Sequence, residues 1–322
     1  MRNFIALFVF GMLSANAFAE PARWKAEGWK TDFSKFSVKA SEILSGGPPK
    51  DGIPPIETPS FTSVKNAKDL ADTTPVIGLS INGDARAYPL RVMIWHEIAN
   101  DIVGGKPVVI TYCPLCNAAI VFDAEVDGKA LTFGTTGKLR NSDLIMYDRA
   151  TESWWQQFIG TGIAGKYTDK KLKLVPSRLE AWGEFKKRHP NGKVLVPNNE
   201  NMRSYGRNPY VNYDISAQPF LYNGSMPEGI PPMARVVVVR RDNKEPLVIT
   251  MAAVRKKITI NTEGLQISWK AGQASALHTE KIASGRDVGT ISVTRNGKDV
   301  AYDVTFAFVA HAFHPKATIR KK

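Results

Sequence analysis

Val76-Ile77-Gly78-Leu79-Ser80-Ile81, Asn82-Gly83-Asp84 and Ala85-Arg86-Ala87-Tyr88 run end to end. Two apolar, β-branched stretches flank an Asn-Gly pair, the pair that most readily takes the positive φ angles of a tight hairpin turn. The stretch reads as a β-hairpin, and similar patterns follow it. Gly104-Gly105 turns the chain into Lys106-Pro107-Val108-Val109-Ile110-Thr111-Tyr112, a strand that delivers Cys113; Ala119 to Asp123, a turn at Asp127-Gly128 and Leu131-Thr132-Phe133-Gly134 follow. Further on, Arg235–Arg240, Pro246–Met251, Lys257–Asn261, Gln266–Lys270, Gly289–Thr294 and Tyr302–Ala310 all read as strands. Helix is expected only in short pieces: Val92 to Ile98, carrying Trp95 and His96, and Arg178 to His189, ended by Pro190-Asn191-Gly192. With 20 prolines and 25 glycines, the expected class is mainly β (a β-rich α+β fold) in two β-rich lobes with few short helices.

The two lobes show a faint internal repeat. Val76-to-Leu90 lies over Val236-to-Thr250, with Asp242-Asn243 in place of the Asn-Gly turn, and Val108–Tyr112 then falls on Leu265–Trp269. In that alignment Lys270 and Gln273 stand where Cys113 and Cys116 are, so a diverged duplication would have kept thiols in one copy only.

Around this frame the chain divides as residues 1–19, a secretory signal; 20–50, an N-terminal arm; 51–200, the cysteine-bearing β-rich domain; 201–232, a connecting excursion rich in Asn, Pro, Tyr and Gly; and 233–322, a second β-rich domain. The signal reading rests on Arg2, the apolar run Phe4 to Leu13 and the small residues of Ala15-Asn16-Ala17-Phe18-Ala19. The run is too short to span a bilayer and no later segment is apolar enough to do so, so a periplasmic or secreted protein is expected. The arm carries Trp24 and Trp29 and ends in Ser45-Gly46-Gly47-Pro48-Pro49-Lys50; Asp51-Gly52-Ile53-Pro54-Pro55-Ile56, too proline-rich for a central strand, is expected as extended coil. The net charge is +13, but Lys and Arg are scattered, with no dense cluster beyond Arg255-Lys256-Lys257. A soluble basic surface rather than a nucleic-acid partner is expected, and no nucleotide cofactor.

Cys113 and Cys116, the two cysteines of the chain, are too few for a disulfide scaffold. Cys113-Pro114-Leu115-Cys116 at a strand end admits three chemistries. Two thiolates at this spacing suit copper or zinc, with histidine completing the site; His96, between Trp95 and Glu97, is the preferred third ligand, and His311 and His314 are weaker candidates. Alternatively, Cys113 attacks and Cys116 resolves in thiol–disulfide exchange, although Asn117–Asp123 returns to strand composition where a thioredoxin-like enzyme continues as helix. Third, the pair is a static, non-catalytic feature of a ligand-binding or structural module. Tyr112 adjoins the motif, and Tyr147-Asp148-Arg149 with Ser153-Trp154-Trp155-Gln156-Gln157 form a polar and aromatic constellation. Asp148, Arg149, Ser153 and Gln157 either wall a pocket around the cysteines or close a hydrogen-bonded turn. His189, at a helix end, reads as a cap, and His278 has no evident partner.

Asp51-Gly52-Ile53-Pro54, Ala87-Tyr88-Pro89, Trp95-His96-Glu97-Ile98, Asn100-Asp101, Gly104-Gly105, Thr111-Tyr112-Cys113-Pro114-Leu115-Cys116, Phe133-Gly134, Tyr147-Asp148-Arg149 and Ser153-Trp154-Trp155-Gln156-Gln157 together resemble a prokaryotic family catalogued as domain of unknown function 3179. The resemblance covers about residues 50 to 200. It implies that His96, the cysteines and the Asp-Arg and Ser-Trp segments belong to one recurring pattern and share a site; it names no activity. The expectation is a soft-metal protein, copper before zinc, with a thiol redox protein or a non-catalytic module as alternatives, and with a small ligand or a periplasmic metal or redox partner.

Overall fold

The Asn82-Gly83 hairpin forms with Pro75–Ile81 antiparallel to Asp84–Pro89, Val76 opposite Pro89 and Ile81 opposite Asp84. Asn82 and Gly83 take φ of 50° and 83°, the left-handed pair such a turn requires. The computed structural model describes residues 15–322, with side chains from residue 20 onward. Strands hold 39% of the chain and helices 14%, the mainly β class with few short helices read from the sequence.

The repeat is visible strand for strand. In the first copy Arg178–Ala181, Pro75–Ile81, Asp84–Pro89 and Lys193–Val196 lie side by side, the last pairing parallel, and Ser60–Ser63 extends the edge. In the second, Asp303–Phe306, Arg235–Arg241, Lys244–Thr250 and Ile319–Arg320 do the same, again with a parallel last pair. Ile77 stands between Leu179 and Tyr88 as Val237 stands between Val304 and Ile249. Each copy continues through a short helix, Leu90–Met93 or Met251–Lys257, into three antiparallel strands. Cys113 pairs with Ala118 where Lys270 pairs with Thr290, so the second copy carries no thiol at that place.

The copies exchange partners. Ala118–Asp123 of the first packs beside Asp303–Phe306 of the second, and Thr290–Arg295 of the second beside Arg178–Ala181 of the first. The small sheets thereby close into a ring, and one buried apolar cluster runs from Ile56 to Ala310. The cysteine segment is consequently held by strands from both halves.

Three local expectations change. Arg178–His189, expected as helix, is strand over Arg178–Ala181 and helix only over Trp182–Arg188. Tyr302–Ala310, expected as strand, is strand over Asp303–Phe306 and helix over Ala307–Phe313. Between Leu90 and Ile98 the α-helix covers Leu90–Met93, and Ile98 already begins a strand. In the first, pairing with a hairpin edge holds Arg178–Ala181 as strand, and in the second the pairing ends at Phe306 and the chain turns helical; tertiary pairing outweighs local preference in both.

One further sheet belongs to the first copy alone. Phe133–Arg140, Asp143–Asp148, Trp154–Gln156 and Thr161–Ala164 form it, with Ile43–Ser45 of the arm along its edge. The arm is fastened there by aromatic burial. Trp24, Trp29 and Phe33 surround Trp154 at ring-centroid distances of 4.8, 5.0 and 5.1 Å, and all four are buried. Asp51–Ile56, expected as extended coil, begins in a turn, with Asp51 left-handed at φ 54° and Gly52 N donating to Pro49 O at 2.9 Å, and bridges to the body at Ile56 and Ala99. The secretory-signal reading concerns residues 1–19, of which 1–14 lie outside the described residues. No described helix is long and apolar enough to cross a membrane.

Candidate functional site

The strand Lys106–Cys113 ends in a tight turn in which Cys116 N donates to Cys113 O at 3.3 Å and Asn117 N to Pro114 O at 3.1 Å. Asn117, left-handed at φ 50°, reverses the chain into Ala118–Asp123. The turn is held from the other half: the Thr305 hydroxyl donates to Cys116 O at 2.8 Å, and Phe306 N to the same oxygen at 3.2 Å. Thr305→Val removes one of these two donors at a fully buried place, with an expected cost of about 1 kcal/mol. The check is a lowered urea midpoint with an unchanged m-value.

A third donor comes from the inserted sheet. At the hairpin between Phe133–Arg140 and Asp143–Asp148, Asn141 and Ser142 both take positive φ, 53° and 64°, and the chain turns Asp143 towards the thiols. Cys116 Sγ is 3.3 Å from Asp143 Oδ1 and 3.6 Å from Ser142 O; Cys113 Sγ is 3.8 Å from Ser142 O. Both cysteines are free thiols. Two sulfurs and a carboxylate oxygen lie within 4.8 Å of one another, all buried, a group that can hold a metal ion. Asp143 Oδ2 accepts from Gln156 Nε2 at 2.7 Å and Phe158 N at 2.8 Å, which orients the carboxylate. A tetrahedral zinc with bonds of about 2.3 Å to sulfur and 2.0 Å to oxygen would place these donors about 3.5–3.8 Å apart. The Cys116–Asp143 separation is already close to that.

Burial pushes both thiols up, and lifts Asp143 to about 6 against backbone and side-chain donors that hold it down. Glu97 is lifted to about 8 by burial, with the Asp143 charge adding to it. The groups acting most strongly on these four residues include no cation. Both thiols are thus uncharged at neutral pH, the opposite of an attacking cysteine, whose pKa is lowered by a cation or a helix end.

Glu97 also lines a cavity of about 470 Å³ beside the thiols. Tyr210, Tyr213 and Phe220 of the 201–232 excursion line it together with Leu115 and Leu144. The Tyr213 hydroxyl donates to Leu115 O at 3.1 Å, and the Ser142 hydroxyl to Phe220 O at 2.5 Å, so the excursion is tied to both the cysteine turn and the Asp143 hairpin. Gly137, left-handed at φ 69°, lets the Pro48 carbonyl close the cavity edge; a Cβ there would stand 1.9 Å from that oxygen.

His96 is placed outside the thiol group. Its Nδ1 lies 2.7 Å from Pro54 O and its Nε2 2.8 Å from the Tyr205 hydroxyl. A carbonyl only accepts, so Nδ1 carries the proton and Nε2 accepts from Tyr205. Trp95 is partly buried against the core, and Tyr112 is fully buried within it. Asp148 accepts from Thr151 N at 2.7 Å, Thr151 Oγ1 at 2.9 Å and Trp155 Nε1 at 3.0 Å. The Ser153 hydroxyl lies 2.7 Å from that of Thr151 and accepts from Tyr167 N at 3.0 Å, so this is a hydrogen-bonded turn. Arg149 pairs with Asp51 at 2.9 Å and Glu57 at 2.5 Å. Gln157 Nε2 donates to Thr111 Oγ1 at 2.7 Å and so braces the cysteine strand. His311 Nε2 is 3.0 Å from Ser225 Oγ. His314 lies against Phe158 with the rings tilted and their centroids 6.0 Å apart, and burial lowers it to about 4. Neither histidine joins the thiols. The donor that sequence reasoning passed over is Asp143, whose one signal was the turn-forming Asn141-Ser142 before it.

A family model described as Protein of unknown function (DUF3179) matches residues 50–317, and the chain belongs to that family. The match runs well past residue 200 and takes in both copies of the repeat. No curated protein and no solved structure matches the chain.

Proposed function

We propose that this family member is an exported metal-binding protein whose Cys113, Cys116 and Asp143 hold one thiophilic ion, zinc in preference to copper. The observation that carries the reading is the convergence of three buried donors from two separate segments within 4.8 Å, with no cation among the groups acting most strongly on them. Buried ionisable groups of one sign are unfavourable unless a counter-charge joins them, and a divalent ion supplies it. Two thiolates suit either metal, but a carboxylate is a hard donor that copper(I) does not favour. Three protein donors leave a fourth position for water or a ligand. Export rests on the signal-like residues 1–19.

Elemental analysis of the purified full chain, paired with a thiol count before and after reduction, tests this. About one equivalent of zinc is expected, lost in Cys116→Ser. Absence of metal, with thiols that open and close in mild redox buffers, would refute the metal reading and favour thiol exchange.

A further inference from the structure

We propose that the cavity beside the thiols binds a small organic ammonium ion, a protonated amine on a hydrocarbon or aromatic body. This goes beyond the metal reading and does not use the thiols. A volume of about 470 Å³ lies within the roughly 300–1,000 Å³ of small-molecule sites. Its lining is largely apolar and includes the rings of Tyr210, Tyr213 and Phe220 together with Leu115 and Leu144. Among the lining residues one carries a carboxyl group, Glu97, and one an amine, Lys138. Lys138 is engaged already, its ammonium 2.7 Å from a Glu27 oxygen. Glu97 is 7% exposed, and no hydrogen bond from a described residue acts on its carboxyl group.

Its position is imposed by the backbone. Glu97 is left-handed at φ 58°; its N donates to Met93 O and its O accepts from Tyr112 N, both at 2.7 Å. The carboxyl group is therefore presented at the cavity by its neighbours without a partner of its own. An ammonium would complete a charge-assisted hydrogen bond, and the three rings would add cation–π attraction. A carboxylate or phosphate ligand would meet Glu97 and, behind it, Asp143. A neutral alcohol of the same shape would fill the cavity but leave Glu97 without an opposite charge.

Titration calorimetry of the full chain above pH 8, where the Glu97 carboxyl is ionised, with 2-phenylethylammonium, 2-phenylethanol and 3-phenylpropionate tests the proposal. The ammonium is expected to bind at least about tenfold more tightly than the alcohol, and the anion not detectably. Glu97→Gln should bring ammonium and alcohol to equal affinity. Phe220→Ala, at a residue 55% exposed and safe for folding, should weaken the ammonium several-fold. Cys116→Ser, which removes the metal donor, should keep the preference, so this proposal and the metal reading fail separately. Equal affinity for ammonium and alcohol in the wild type, no binding of either, or a preference that survives Glu97→Gln would overturn it.

Discussion

Asp143→Asn is expected to weaken metal binding by more than ~100-fold, beyond what residues outside the ligand set commonly cost, while His96→Gln leaves it unchanged. The asparagine keeps the shape and the Gln156 and Phe158 contacts within reach but takes away the anionic oxygen beside Cys116. His96 has both ring nitrogens committed, to Pro54 and Tyr205, so its loss loosens the join between the extended coil and the excursion. Competition with a chromophoric chelator measures both variants. The same titration should show affinity rising with pH. Burial holds both thiols above their ordinary values, so each ion must displace two protons at neutral pH, a slope of roughly 100-fold per pH unit. Below about 6, where Asp143 also gains a proton, the slope should steepen. A pH-independent affinity would mean that the thiols are not ligands.

His96 and Asp143 show what a sequence can and cannot disclose here. The hairpins and the duplication were legible because a strand pair states its register locally: Asn82-Gly83 marks its turn, and Val236–Val239 repeats the apolar pattern of Val76–Leu79. The cysteine turn was legible for the same reason, as two thiols three residues apart share a local geometry. Asp143 is brought in by an inserted hairpin some thirty residues beyond Cys113, and only the closing of that sheet sets it against the sulfurs. His96 is nearer in sequence and was the natural third ligand, yet it lies where the helical turn after Leu90 directs it, towards Pro54. The helix and strand errors have a common origin. At Ala181–Trp182 and at Phe306–Ala307, equivalent points of the repeat, a strand becomes a helix at once, with no proline or glycine between them. Periodicity read across that junction favours one type throughout, and it favoured opposite types in the two copies.

Glu97→Gln is expected to stabilise the metal-free protein at alkaline pH, although it alters the one unpartnered acid of the cavity. In the unfolded chain the carboxyl group titrates at 4.5; in the folded protein burial and Asp143 hold it at about 8. The native state therefore binds this proton the more tightly. Its contribution is fully present below 4.5 and is lost as pH rises through 8. At about 1.36 kcal/mol per pH unit, the interval sets a ceiling on the order of 5 kcal/mol. Glutamine carries no such dependence, so urea midpoints of variant and wild type should coincide near pH 4.5 and diverge towards pH 8, with the variant more stable. Coincident midpoints at pH 8 would mean that the carboxylate has a counter-charge in the folded protein. Divergence would identify Glu97 as a residue that costs the fold stability at the pH where its charge becomes available. A cost of that kind, at a cavity wall beside buried thiols, belongs to the binding of a cation rather than to the making of a core.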